Sequence, residues 1–239
     1  MPFAHGSRAR VYVNGYDLTG YLKSFSSGGQ ADVLEATVFS KREKEYVPGL
    51  KDGSLSAEGL FDGDTGAVDE TVAAALGSSS SLWLWFPQGE SAVGSDGYGF
   101  DAIATAYEVS TPVEDLAAIT VEAQSRIGRE RVKSLHPLSQ ETAGTNGTTI
   151  DNGAASSDGA VAVLQVTAIS GTSPTLDVTV QHSPDGTTWT DLIAFTQVSA
   201  AHQAERKTVT GSVDQHVRAI WTLGGTNPAA TFTVAFGRN

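Results

Sequence analysis

The chain has 239 residues, 40% of them hydrophobic, a net charge of −12 and no cysteine. The missing cysteines exclude disulfides, thiol catalysis and cysteine-type zinc sites, and the acidic balance excludes a protein that holds nucleic acid by cationic displacement of counterions. No run of about 18 apolar residues occurs, which excludes a helical membrane span, and residues 1–15 lack the apolar core of a signal peptide, which predicts a protein made and kept in a cytoplasm.

Val11 and Val13 alternate with Tyr12 in the period-2 pattern of a strand, and Asn14-Gly15 is a strong turn pair. A second run over 16–25 ends in Ser26-Ser27-Gly28-Gly29. Strands are predicted over 32–39 and 54–62, joined by a charged loop over 40–49. In the returning strand Leu55, Ala57, Gly59 and Phe61 share one face, with Ser54, Ser56 and Glu58 opposite. One apolar and one mixed face is the pattern of a sheet with a single wet side.

Over 64–77, Val68, Val72, Ala75 and Leu76 make an apolar stripe at helical spacing, with Asp64 or Thr65 as the cap and Gly77 as the stop. Residues 82–86, Leu-Trp-Leu-Trp-Phe, read as a core strand ended by Pro87. Strands over 97–110 and 115–124 form a second long hairpin around Thr111-Pro112, with Ile119, Val121 and Ala123 on its apolar face. From Ser134 the composition turns to Gly, Ser, Thr and Asn, the signature of a linker. The predicted division is a first domain over 1–139, a linker or start of the second domain over 140–159, and a second domain over 160–239. That last stretch holds six short alternating strands separated by turns such as Ser183-Pro184-Asp185-Gly186, with Trp189 and Trp221 as its central aromatics, which predicts a β-sandwich.

Catalytic chemistry is not indicated. The five histidines are scattered, no nucleophile elbow or phosphate-binding glycine loop occurs, and no carboxylate pair stands apart from the rest. The expectation is a protein that is not an enzyme and carries no cofactor or metal.

Order and spacing of the first-domain motifs resemble the major tail tube proteins of long-tailed bacteriophages. The resemblance covers residues 8–135 and is carried by V-Y-V-N-G-Y-D-L-T-G-Y at 11–21, A-T-V-F at 36–39, L-S-A-E-G-L-F-D-G at 55–63 and A-Y-E-V-S-T-P-V-E-D-L at 106–116. It implies a mainly β (α+β) chain: an antiparallel β-sandwich or barrel domain of tail-tube type with one helix. The stretch V-Q-H-S-P-D-G-T-T-W-T-D-L at 180–192 and R-A-I-W-T at 218–222 resemble Ig-like β-sandwich modules appended to phage virion proteins.

The resemblance implies a subunit that forms hexameric rings stacked into the tail tube, the conduit for DNA ejection, with the C-terminal domain decorating the exterior, for weak host-surface contacts or equally for a stability or spacing role. The expected location is the virion tail, after synthesis in the cytoplasm of a bacterial host. The implied partners are further copies of the chain, the tape measure, tail terminator and tail tip proteins, and DNA that passes through without specific binding. The loop Lys41, Arg42, Glu43, Lys44, Glu45, Tyr46 and Val47 would join ring to ring, and Glu35, Glu58 and Glu122 would line the lumen and repel phosphates. Two other readings fit the composition. One is a surface or carbohydrate-binding β-module using Trp83, Trp85 and Phe86 or Trp189 as a sugar platform. The other is a different tail component such as a terminator.

Overall fold

A computed structural model describes residues 5–238. In chain order the first elements are β1 (Arg10–Val13), β2 (Tyr16–Asp17), β3 (Leu22–Glu35), β4 (Tyr46–Leu60) and α1 (Val68–Ala75). There follow β5 (Ser81–Phe86), β6 (Asp96–Ser110), β7 (Ala118–Ser125), β8 (Glu130–Glu141), β9 (Thr145–Asn146) and β10 (Ile150–Asp151). The chain closes with β11 (Ala160–Ser183), β12 (Thr190–Ala194), β13 (Gln203–Val209) and β14 (His216–Arg238). The strand pairings are antiparallel, and α1 is the single α-helix among the described residues. The fold is the predicted mainly β class.

Two compact units divide the chain. A composite unit gathers the described residues of Met1–Gly20, Leu82–Gly99 and Glu130–Asn239, and a hairpin unit consists of Tyr21–Ser81 and Phe100–Arg129. The boundary expected at 139/140 falls inside β8, and the stretch read as a linker carries the end of β8 together with β9 and β10. The physical reason is that β8 pairs with β14, so its sparse apolar residues are completed by a strand about a hundred residues away.

In the composite unit β11 and β14 pair along nearly their whole length, from Ala160 opposite Arg238 to Ser183 opposite His216. Six short strands were expected over 160–239, but Gly171 and Ser173 on one strand face the Gly225 and Asn227 region of the other, all four with positive φ. The turn-coded residues therefore make paired irregularities within two long strands. Ala160–Val166 is buried on both faces. Its even positions join the core of Leu135, Leu176, Trp221, Phe232 and Val234, and its odd positions meet Tyr12, Leu84 and Phe86. A strand covered on both sides reads as a continuous apolar run. Trp221 is the core aromatic expected; Trp189 is only half-buried, with the Arg218 guanidinium 4.1 Å from its ring centroid.

Polar groups stitch this unit as closely as its apolar contacts do. Asn14 and Gly15, both at positive φ, turn β1 into β2. The buried Gln165 accepts the Gly15 N–H at 2.5 Å and donates to the Leu82 carbonyl at 3.1 Å. Glu90 is half-buried and accepts from Tyr12 (2.8 Å), Ser134 (2.9 Å), Thr233 (2.5 Å) and the Leu138 N–H (3.3 Å). Burial raises its pKa above the ordinary carboxylate value, against the pull of those four donors.

Candidate assembly surface on the hairpin unit

The hairpin unit is a four-stranded antiparallel sheet in the order β3-β4-β7-β6, with Ala102–Ser110 as the participating part of β6. Its registers align rows of side chains across all four strands. Ser24, Glu58, Thr120 and Glu108 form one row, and Ser26, Ser56, Glu122 and Ala106 the next. Because strand faces alternate with period 2, these rows share one face. The intervening positions Leu55, Ala57, Phe100, Ala102, Ile119, Val121 and Ala123 are buried on the other.

Helix α1 belongs to that buried side. Val68, Thr71, Val72 and Ala75 are its buried residues, Tyr107 of β6 donates to Asp69 at 2.5 Å, and Leu76 bridges Ala104. Burial and the Asp69 carboxylate together raise the Tyr107 pKa. The helix starts at Val68, later than the expected Asp64, and Ala67 at its N-cap provides no side-chain cap. Gly66 at φ 78° precedes it, and Asp62 accepts the Asp64 N–H, so residues 62–66 form a turn. Gly77, at φ 72°, stops the helix as expected.

The uncovered face carries acids and small polar groups. Glu58 and Glu122, predicted together from alternation, stand exposed on the adjacent strands β4 and β7. Glu108, one row-mate of Glu58, was missed; its parity relative to the half-buried Tyr107 was the available signal. No Lys or Arg occupies any position of the two rows. Glu58 and Glu108 flank Thr120 at two strand spacings, roughly 10 Å, about one Debye length at 0.1 M salt. Glu35 does not join them: it falls on the alternate parity of β3, at the far end of the strand, and pairs with Lys44 at 2.9 Å.

That far end projects as a long hairpin. β3 and β4 continue past the partners of β7, which stop at Ser54, out to Glu35 opposite Tyr46, and Ala36 to Glu45 form the connecting loop. Residues 36–39 were expected in the strand and 46–49 in the loop. A register shift between Ala31 and Val33 moves the turn inward, so Tyr46 and Val47 belong to β4 and pair with Glu35 and Leu34. Lys41 pairs with Glu45 at 3.0 Å, while Arg42 and Glu43 are exposed on the loop. These exposed ion pairs each contribute about 0–1 kcal/mol. The apolar residues are the larger feature. Val33 (64% exposed), Leu34, Val38, Phe39, Tyr46, Val47 and Leu50 (81%) all face solvent, an accumulation that marks a contact surface. Val113 and Leu116 do the same at the tip of the β6–β7 hairpin.

Among the described residues no group of three His, Asp or Glu is placed to hold a metal. Of the residues offered as a sugar platform, Trp83 and Phe86 are buried, Trp85 is half-buried with its ring 5.7 Å from that of Tyr98, and Arg218 lies over the Trp189 ring.

No family model matches the sequence, and no curated protein matches it. Solved structures do. The tail of an empty gene transfer agent particle, determined with C6 symmetry, is similar at 14% identity and a TM-score of 0.43, covering 53% of this chain and 97% of the other. The SPP1 tail tube is similar at 16% identity and a TM-score of 0.45, over 54% of this chain and 78% of that one. The phage p2 baseplate in its activated conformation with strontium is similar at 9% identity and a TM-score of 0.35, over 97% of this chain and 98% of the other.

Proposed function

We propose that this chain is a structural subunit of a phage-type tail tube, assembling into hexameric rings that stack around a DNA conduit. The observation that carries this is the hairpin unit's combination of one face whose two aligned rows hold acids and no Lys or Arg, one helix-covered face and open strand edges. β3 has a neighbour on one side only, β4, and so presents a 14-residue edge whose outward-facing backbone groups have no strand partner. Such an edge is a template for another strand unless it is covered. Head-to-tail pairing of β3 with the distal part of β6 in the next copy is a heterologous contact that closes into a ring, and a closed barrel removes its edges altogether.

In such a ring the helix-covered face lies outward and the face bearing Glu58, Glu108 and Glu122 lines the lumen. Repulsion between these carboxylates and phosphates keeps DNA mobile. Glu35 belongs with the projecting hairpin, where residues 40–47 and the neighbouring apolar side chains make the ring-to-ring contact. The C-terminal strands form an Ig-like exterior decoration, in position for weak contact with a host surface. Tape measure, terminator and tip proteins complete the tail.

Negative-stain electron microscopy of concentrated protein tests this. Tubes or stacked rings with six-fold end views and a central hole are expected, and deletion of residues 36–45 should leave single rings without stacks. A deletion variant that still forms long tubes would remove the hairpin from the ring-to-ring contact. Wild-type protein that remains monomeric even when presented with pre-formed tail tips would end the tube reading.

A further inference from the structure

The composite unit carries a cleft of about 460 Å³ whose character differs from the rest of this acidic chain. Its floor is Leu135, Ile150, Val217 and Phe236, and Arg131, Lys133 and Arg238 stand around it. Alternation along β8 puts Arg131, Lys133 and Leu135 on one face, and Phe236 is the register partner of Lys133. Asp151 is the single acid in the lining, and its carboxylate already accepts from the Gly153 N–H and from Gln215. Arg238 donates to the carbonyls of Ala154 and Asn152, neutral acceptors that leave its charge uncompensated. Arg131 reaches Asp96 at 3.4 Å, but with side chains 74% and 58% exposed the pair is weak. The Ser156 hydroxyl, also in the lining, is out of contact with solvent and has no hydrogen-bond partner. A cationic rim over an apolar floor suits an occupant that brings carboxylates beside aliphatic side chains.

One exposed segment of the chain has that composition. At the β6–β7 tip, Val113 and Leu116 stand in solvent on either side of Glu114 and Asp115, which make no ion pair among the described residues. The other exposed tip does not fit: Lys41 and Lys44 already neutralise Glu45 and Glu35 within it. We infer that the cleft receives the Val113–Leu116 tip of a second copy of this chain, with Glu114 and Asp115 against Arg131 and Lys133 and the two aliphatic side chains over Ile150 and Phe236. This contact adds a side-chain lock to backbone pairing between copies. It is separate from ring closure and can stand or fall independently of the tube.

Lys133 makes the contact directly readable. A carbodiimide joins a lysine to a carboxylate only where the two touch, and equal parts of unlabelled and ¹⁵N-labelled full-length protein separate links between copies from links within one. Mass spectrometry should find mixed-isotope links from Lys133 to Glu114 or Asp115. Their yield should drop about tenfold in R131E, equivalent to losing about 1.4 kcal/mol of contact, and severalfold at 1 M salt. Thermal unfolding of R131E should match the wild type because Arg131 is exposed. Lys133 recovered unmodified, or linked only to Asp96 of its own chain or to other carboxylates, overturns the inference. Tubes that form without the Lys133 link overturn it while leaving the tube intact.

Discussion

In the composite unit a half-buried carboxylate, Glu90, has four donors and a buried amide, Gln165, has both its ends satisfied, while the aromatic core around Phe232 is closed to solvent. In the hairpin unit large apolar side chains from Val33 to Leu50 and from Val109 to Leu116 stand in water, and a 14-residue strand has a bare edge. One region encloses its large aromatic side chains within a single chain; the other leaves many of its large apolar side chains in solvent. The contrast predicts that stability and self-association are separable, and substitutions should sort accordingly.

The largest loss is expected from Phe232→Ala. Phe232 is fully buried between His136 and Trp221, and removing such a ring costs about 3–5 kcal/mol, read as a lower midpoint in urea denaturation. Next comes a pH effect. Burial lowers the His136 pKa from its ordinary 6.5 to about 4. The unfolded chain therefore takes up a proton near pH 6.5 that the folded chain refuses until about pH 4. The stability from this group is complete above pH 6.5 and is lost as pH falls toward 4, by about 3 kcal/mol. His136→Leu should flatten the acid limb of a stability-versus-pH curve; an unchanged limb would assign that limb to other groups.

Gln165→Leu keeps the volume but leaves the Gly15 N–H and Leu82 carbonyl without their partner, at about 2 kcal/mol. If this substitution proved neutral, the polar stitching would be incidental to the composite unit. The smallest effect on stability belongs to Phe39→Ser and Val113→Ser. Both side chains are solvent-exposed, so melting temperatures should stay within the equivalent of about 0.5 kcal/mol. Sedimentation velocity should nevertheless show self-association reduced. A drop in stability at these tips would erase the contrast between the two units.

Local alternation made some of this legible in advance. Leu55 and Ala57 inward with Ser54, Ser56 and Glu58 outward, and Ile119, Val121 and Ala123 inward with Glu122 outward, follow from period 2 alone. Val68, Val72 and Ala75 follow from helical spacing, whereas Leu76 left the stripe to bridge Ala104. What stayed hidden depends on partners distant in sequence. The register shift that draws Tyr46 and Val47 into β4 is a property of two strands together. Gly171 and Gly225 have the chemistry of turns, and only their apposition makes them irregularities in a continuous pair. Ser134 and Leu135 lie in a linker-like composition, yet both are buried because β14 returns alongside β8. Glu108 was within reach by parity from Tyr107, but the irregularity between Ala104 and Ala106 inverts the faces along β6 and is not written in the local sequence.

The scattered make-up of the composite unit also sets an order in time. The hairpin unit has its last strand, β7, and its final residues by position 129, whereas the composite unit lacks its central strand until β14 is made over His216–Arg238. At bacterial-type synthesis rates of 5–20 residues per second, that gap is roughly 5–20 s. During it the nascent chain carries exposed apolar hairpin tips, and Ala160–Val166, once made, stays uncovered until β14 arrives. Neighbouring ribosomes on one message thus hold copies able to touch before they can finish folding, and the spacing of those ribosomes becomes a variable in whether assembly begins on completed subunits or on tangled ones.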